Sequence, residues 1–213
     1  MLHLFLNLIG GWSICPLIAA VRCMNPGAER GETPVGKPYI FLDRDGTINK
    51  EKDYLYRIED FEFEDGCVEG LRLLQDKGYG LVVITNQSGI ARGYYTLEDA
   101  NRLHAYMTEQ LKEAGVALER VYLCPHGPDD HCECRKPKIG LYRQAMEELQ
   151  IDMARSYMVG DRVRDIEPAQ HFGSRYALVQ TGHCGSEDLS KIDKRFLYKN
   201  LAEFAQNVPE ARC

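Results

Sequence analysis

"YIFLDRDGTIN", residues 39–49, sets four apolar residues directly before two aspartates that are one residue apart. The unbroken apolar run Tyr39-Ile40-Phe41-Leu42 reads as a short buried strand. Gly46 follows the second acid and permits a tight exit from that strand. Asp43 and Asp45 repel each other at this spacing unless a cation lies between them or one holds a proton. A hard divalent ion such as Mg²⁺, which takes oxygen ligands, answers that repulsion. Seen alone, the pair could equally be an Asx-type turn whose acids are simply solvated.

Working outward from this strand, the chain alternates short apolar runs with amphipathic segments. "GLVVIT" (80–85), "RVYLC" (120–124), "SYMVGD" (156–161) and "RYALVQ" (175–180) read as four more strands. Between them, Val68, Leu71 and Leu74 recur at helical spacing before Gly78 stops the helix. Thr96 and Asp99 form a capping-box-like pair opening a helix that closes at Gly115. "IGLYRQAMEELQ" (139–150) is a further helix, "RDIEPAQHFG" (164–173) a short one interrupted by Pro168, and "NLAEFAQNV" (200–208) a terminal one. Strand and helix alternating in this way predict an α/β fold, a Rossmann-like three-layer sandwich around a mostly parallel sheet. Ligands of such sheets bind beyond the carboxyl ends of the strands. Three strands end in polar groups there: Asp43 and Asp45, then Thr85-Asn86, then Asp161 and Asp165. One polar strand end means little, but three converging on one rim make a site.

Asp43-x-Asp45-Gly-Thr, Thr85 after "LVVI", Lys136, and "GDRVRD" (160–165) occur in the order of the four motifs of the haloacid dehalogenase superfamily of phosphotransferases. The chain resembles that superfamily from about Tyr39 to Gln180. The resemblance implies a phosphatase in which Asp43 attacks phosphorus as nucleophile and Asp45 serves as general acid and base. It implies Mg²⁺ held by Asp43, Asp45 and Asp161, with Lys136 and the Thr85 hydroxyl neutralising phosphoryl charge. Asp165 could join the outer shell of the metal or orient Lys136.

"CPHGPDDHCECRKP" (124–137) packs three cysteines and two histidines into one loop. Cys124, His126, Cys132 and Cys134 offer three thiolates and an imidazole, a soft tetrahedral set suited to Zn²⁺. Four protein ligands leave no open position, so the zinc would be structural. His131 competes with His126 for the nitrogen position, and buried or redox cysteines without metal are the ordinary alternative. With "TNQSGIARGYY" (85–95), this loop is similar to the capless, zinc-loop branch of the superfamily, which holds heptose bisphosphate and histidinol phosphate phosphatases. The "SGIARG" segment favours the heptose enzymes over the histidinol ones. "KEKDYLYRIEDFEF" (50–63) is too short for a cap domain, so the site must be open. Arg135 is the natural bidentate clamp for a second phosphate. By resemblance, Glu51, Lys52, Asp53, Tyr54, Asn86, Gln87 and Ser88 line the sugar surface. Arg92 and Arg44 are weaker candidates that could equally be ordinary surface cations.

The net charge of −6 over 213 residues argues against nucleic acid, whose phosphates require a basic face. It leaves room for a small anionic partner such as a sugar bisphosphate, because local cations can reverse the field within one pocket. Cys15, Cys23, Cys67, Cys184 and Cys213 are scattered rather than framework-like, which suits a reducing, cytoplasmic setting. Met1 to Val21 lacks Lys, Arg, Asp and Glu and is apolar enough for a secretory segment or a short anchor. Its missing positive start, Gly10-Gly11, Pro16 and Arg22 argue instead for a true start at Met24. The expected organisation is an extension over residues 1–36 and a phosphatase domain over 37–213, acting as a monomer with no membrane partner.

Overall fold

The computed structural model describes residues 36–190 and 192–211. The apolar stretch up to Val21 and the start expected at Met24 lie outside the described residues. Five parallel strands occupy the places the apolar runs predict: β1 (Tyr39–Leu42), β2 (Gly80–Asn86), β3 (Arg120–Cys124), β4 (Tyr157–Gly160) and β5 (Arg175–Val179). A sixth, β6 (Leu197–Tyr198), has only two residues and leaves no periodic trace in the sequence. Its order in the sheet is β3-β2-β1-β4-β5-β6, and every pairing is parallel.

The first described strand, β1, stands in the middle of this sheet. β1 pairs with β2 on one side and β4 on the other, so the winding reverses between β1 and β4. A crevice at such a switch point is where an α/β sheet binds its ligand. The Asp43 N–H donates to Val159 O at 2.9 Å, carrying the β1–β4 pairing one residue further and fixing where that carboxylate leaves the sheet.

Helices cover both faces, and the strands alternate between them with the period of two that a pleat imposes. Ile40, Leu42, Leu81, Val83 and Val159 meet α1 (Cys67–Asp76), α2 (Leu97–Glu113) and α6 (Leu201–Asn207) through Leu71, Leu74, Met107 and Phe204. Tyr39, Phe41, Val82, Ile84 and Met158 meet α3 (Gly140–Glu148) and α5 (Pro168–Phe172) through Leu141, Tyr142, Ala145 and Ala169. The expected start of α2 is in place. Thr96 Oγ1 accepts from the Asp99 N–H at 3.1 Å while Asp99 Oδ2 accepts from the Thr96 N–H at 2.8 Å. Pro168 divides its segment into α4 (Val163–Ile166) and α5, and stands at the first position of α5, where no N–H is needed. Residues 50–66 contain one 3-10 turn, Ile58–Asp60, and no cap domain.

Phe41 is 2% exposed and its ring centroid lies 5.3 Å from that of Tyr142. Phe41→Ala would remove a ring from beneath the site without touching a polar group. It should lower the unfolding free energy by about 3–5 kcal/mol in denaturant titration.

Candidate active site

Asp43, from the end of β1, is buried, and the Lys136 ammonium lies 2.8 Å from its Oδ1. Lys136 is itself 3% exposed and also lies 2.8 Å from Asp165 Oδ1. One oxygen each from Asp43, Asp161 and Asp165 falls within 4.8 Å of the others. Three carboxylates against one ammonium leave an excess of negative charge. Like charges ~4 Å apart repel by about 4 kcal/mol in a partly buried setting. Burial pushes the Asp43 carboxyl up to about 6, with the Asp165 charge adding and Lys136 opposing. Burial, followed by the charges of Asp43 and Asp165, pushes Asp161 up to about 8. Burial alone would lower the Lys136 pKa, but the charges of Asp165 and Asp43 outweigh it and hold the ammonium above its ordinary value, so it stays charged.

Asp161 Oδ2 accepts from the His183 N–H at 2.7 Å, while its Oδ1 is buried without a partner. A divalent cation fits a buried oxygen with nothing to bind and an excess of carboxylate charge. Gly46 explains itself here: its φ is +76°, and a Cβ on it would lie 2.5 Å from Asp161 Oδ2. The carboxylate can close on the turn after β1 only because that position has no side chain.

Asp45 faces a different environment. Its Oδ1 accepts from Arg44 Nε at 3.0 Å, Arg44 Nη2 at 2.8 Å and Asn49 Nδ2 at 3.0 Å, and its Oδ2 accepts from Gln87 Nε2 at 2.8 Å. Burial alone would raise its pKa, but the Arg44 charge and these hydrogen bonds hold it below the ordinary value. The Asp45 side chain is absent from the carboxylate cluster, whose third member is Asp165. Arg44 is no surface cation. It is fully buried, donating also to Leu55 O at 3.0 Å and, through Nη1, to His104 Nε2 at 3.0 Å. Arginine has no acceptor, so His104 must be neutral and accept at Nε2. Burial, followed by the Arg44 charge, lowers its pKa to about 3.

Gln87 and Asn86 line the cavity, yet their amides are committed to protein. Gln87 Nε2 donates also to Thr85 Oγ1 at 2.8 Å, and Gln87 Oε1 accepts from the Tyr95 hydroxyl at 2.5 Å. The Thr85 hydroxyl accepts from Gln87 and has no acceptor of its own among the described residues, but it is buried and is not among the residues that line the cavity. Asn86 grips the Lys136 backbone from both sides, accepting its N–H at 3.0 Å and donating to its C=O at 3.2 Å. Both residues therefore position the machinery. Lys52 departs from the expected sugar surface: it is not among the cavity-lining residues, and its ammonium donates to Asp60 O at 2.7 Å. Glu51, Asp53, Tyr54 and Ser88 do line the cavity, of about 240 Å³, together with Arg92 and Arg135. Asp53 and Tyr54 have φ of 32° and 60°, a left-handed pair uncommon for residues with side chains. The Tyr54 ring stacks edge-on against Tyr94 at 4.8 Å.

Arg162, Arg164 and His183 also line the cavity and went unread in the sequence. The two arginines stand inside "GDRVRD", where only the acids carry a motif. His183 comes from the loop after β5 and bonds Glu51 at 3.1 Å, a pairing with no local signal.

Between β3 and α3, Cys124, His126, Cys132 and Cys134 converge, while His131 is outside the cluster. Cys124 Sγ lies 3.2 Å from Cys134 Sγ, 3.7 Å from Cys132 Sγ and 3.6 Å from His126 Nδ1. Ligands about a tetrahedral zinc stand ~3.5–3.8 Å apart, so one Zn²⁺ fits with small adjustment. Burial opposes it, but the Arg135 N–H and the neighbouring Cys134 hold Cys132 down to about 7, while burial raises Cys124 and Cys134, so of the three thiols only Cys132 is biased toward the thiolate without a metal.

Fold and site together define a hydrolase of the haloacid dehalogenase superfamily, and a HAD-hydrolase-like family model matches residues 133–204. The D-glycero-beta-D-manno-heptose-1,7-bisphosphate 7-phosphatase of Haemophilus ducreyi is 47% identical over 156 residues, 70% of this chain and 86% of the relative. The Pasteurella multocida protein of the same name is 41% identical over 81% of this chain and 97% of its own length. A crystal structure of D,D-heptose 1,7-bisphosphate phosphatase from B. bronchiseptica, complexed with magnesium and phosphate, superposes with a TM-score of 0.72. It is 33% identical over 79% of this chain and 96% of that one. The chain belongs to the heptose-1,7-bisphosphate 7-phosphatase family.

Because Asp43 and Asp161 hold protons more tightly folded than unfolded, folding takes up protons between the ordinary carboxylate range and about 8. Their contribution to stability is therefore lost as pH rises through that window. Added Mg²⁺ should offset the loss, raising the melting temperature of chelator-treated protein more at pH 8 than at pH 5. Equal increments at both pH values would contradict a cation bound at these two acids.

Proposed function

We propose that this protein hydrolyses the C7 phosphate ester of D-glycero-D-manno-heptose 1,7-bisphosphate and retains the phosphate at C1. The reaction would serve the synthesis of ADP- or GDP-activated heptose for lipopolysaccharide. The observation that carries the reading is a buried Asp43 paired with Lys136 at 2.8 Å, in a chain 47% identical to a phosphatase named for that substrate. Histidinol phosphate, the alternative raised by the zinc loop, finds no support among the relatives, which are named for the heptose bisphosphate.

Asp43 attacks phosphorus in line with the C7 oxygen, and the phosphorus–oxygen bond to the sugar breaks. Lys136 and the Thr85 hydroxyl would face the equatorial phosphoryl oxygens as charge shifts onto them and the leaving oxygen. Asp45 delivers a proton to the leaving alkoxide. In the free site its partners hold it anionic, and the approach of a phosphate dianion raises its pKa so that it takes up the proton it then gives. Water next attacks the aspartyl-phosphate, Asp45 accepts its proton, and Asp43 is released with inorganic phosphate. Asp43 and Asp161 would hold Mg²⁺, which supplies positive charge against the phosphoryl oxygens.

Zn²⁺ held by Cys124, His126, Cys132 and Cys134 would serve structure alone, since four protein ligands close its shell. The enzyme would act as a monomer in the cytoplasm, a reducing setting that the unpaired Cys67 and Cys184 suit. Among the described residues no helix is long and apolar enough to cross a membrane.

Phosphate release compared as kcat/KM should favour heptose 1,7-bisphosphate over histidinol phosphate, and Asp43→Asn should abolish it. A preference for histidinol phosphate would overturn the substrate assignment, and normal turnover by Asp43→Asn the mechanism. Zinc removal, confirmed by metal analysis, acts on a loop whose His126 carbonyl accepts from Arg135 Nη1 at 3.1 Å. Lys136 keeps its separate hold through Asn86. The zinc-free enzyme should therefore show a raised KM for the bisphosphate and a smaller change in kcat. A collapse of kcat at unchanged KM would mean that Lys136 depends on the metal.

A further inference from the structure

Four arginines line the cavity: Arg92, Arg135, Arg162 and Arg164. Of the carboxylates that line the same cavity, Asp43 pairs with Lys136, Asp45 with Arg44 and Glu51 with His183, while Asp53 is exposed and has no ion-pair partner among the described residues. Among the described residues, none of the four arginines lies within ion-pair distance of a carboxylate. They differ in what holds them. Arg92 lies over the Tyr54 ring at 5.9 Å, and Arg135 donates Nη1 to His126 O at 3.1 Å. Arg162 is close enough to Glu51 for its charge to counter the upward shift of that acid.

Arg164 has no such hold. Its Nε is buried and has no hydrogen-bond partner among the described residues. A buried N–H without an acceptor is costly, and a guanidinium stem sunk beneath the surface is a poor choice for a residue that only needs solvent. Arg164 also stands near Arg135. Both line the one cavity, Arg135 from the loop before α3 and Arg164 from α4. Two cations are thus brought together from separate elements, α4 and the zinc loop, with no protein anion between them. An anionic ligand would offset that repulsion. Lys136 is already matched by Asp43 and Asp165 beside the reacting phosphate, so the arginine pair is left for a different anion.

We propose that Arg164 joins Arg135 in a two-arginine clamp for the phosphate that the enzyme does not hydrolyse, and so sets its preference for a bisphosphate over a monophosphate. The proposal rests on the bisphosphatase reading above and deepens it. Two planar forks can donate side by side to one phosphate, which a single fork cannot saturate.

The test uses full-length Arg164→Gln and Arg164→Lys, each checked for an unchanged melting temperature. Phosphate release is measured from heptose 1,7-bisphosphate and from the same heptose 7-phosphate without the C1 group. In Arg164→Gln the ratio of the two kcat/KM values should fall about tenfold or more, carried by KM for the bisphosphate. Arg164→Lys, which keeps the charge without the fork, should fall between that variant and the wild type. Equal losses on both substrates, or none on either, would overturn the clamp. Calorimetric binding of the bisphosphate to Asp43→Asn protein, with and without Arg164→Gln, reads the clamp without turnover. A Kd unchanged by Arg164→Gln there overturns it as well. Failure of the bisphosphatase reading shows separately, as a wild-type enzyme that releases no phosphate from the bisphosphate.

Discussion

The structure depends on a charge imbalance that the fold itself creates. Parallel pairing of β1 with β4 places Asp43 and Asp161 beside each other at the switch point. Asp165, at the third position of α4, completes the cluster. Lys136 offsets part of this charge, standing 2.8 Å from both Asp43 and Asp165. A buried ion pair of this kind contributes little net stability, because desolvation consumes most of the attraction. Its value lies in poise: the uncompensated negative charge suits a cation, and in the proposed reaction cation and ammonium together would allow a carboxylate to approach a phosphate.

The two aspartates of one short motif are shifted in opposite directions by their surroundings. Asp43 sits among carboxylates and is pushed up, whereas Asp45 is gripped by Arg44, Asn49 and Gln87 and held down. That grip reaches far along the chain. Arg44 leans on a neutral His104 from α2, and Gln87 is braced by Tyr95 and shared with Thr85. A fully buried arginine is tolerated here because its guanidinium meets a carboxylate, a carbonyl and an imidazole.

The loop between β3 and α3 has no regular structure to shape it over the residues that carry Arg135 and Lys136. Its thiol and imidazole cluster gathers one end, and Asn86 pins the other. Having two anchors divides the loop into parts with different duties. Arg135 is tied to the cluster through the His126 carbonyl, and Lys136 is tied to the strand end.

Most of the architecture was legible in the sequence, because it is written in local patterns. Apolar runs marked five of the strands, spacing marked the helices, and polar residues at three strand ends marked the rim where Asp43 and Asp161 meet. The convergence of Cys124, His126, Cys132 and Cys134 was legible for the same reason, since their chemistry is rare and their spacing tight. What the sequence could not reveal lay in contacts between distant segments. A two-residue β6 has no period to detect. Whether Arg44 faces water or His104, whether Asn86 meets sugar or the Lys136 backbone, and whether Lys52 reaches the cavity all depend on side-chain directions. Arg162, Arg164 and His183 join the site only because α4 and the loop after β5 return to the same crevice. Local sequence determines which elements form and which groups can react. Only the packing of those elements decides which groups share a dielectric environment and a partner, and hence their charge and their task.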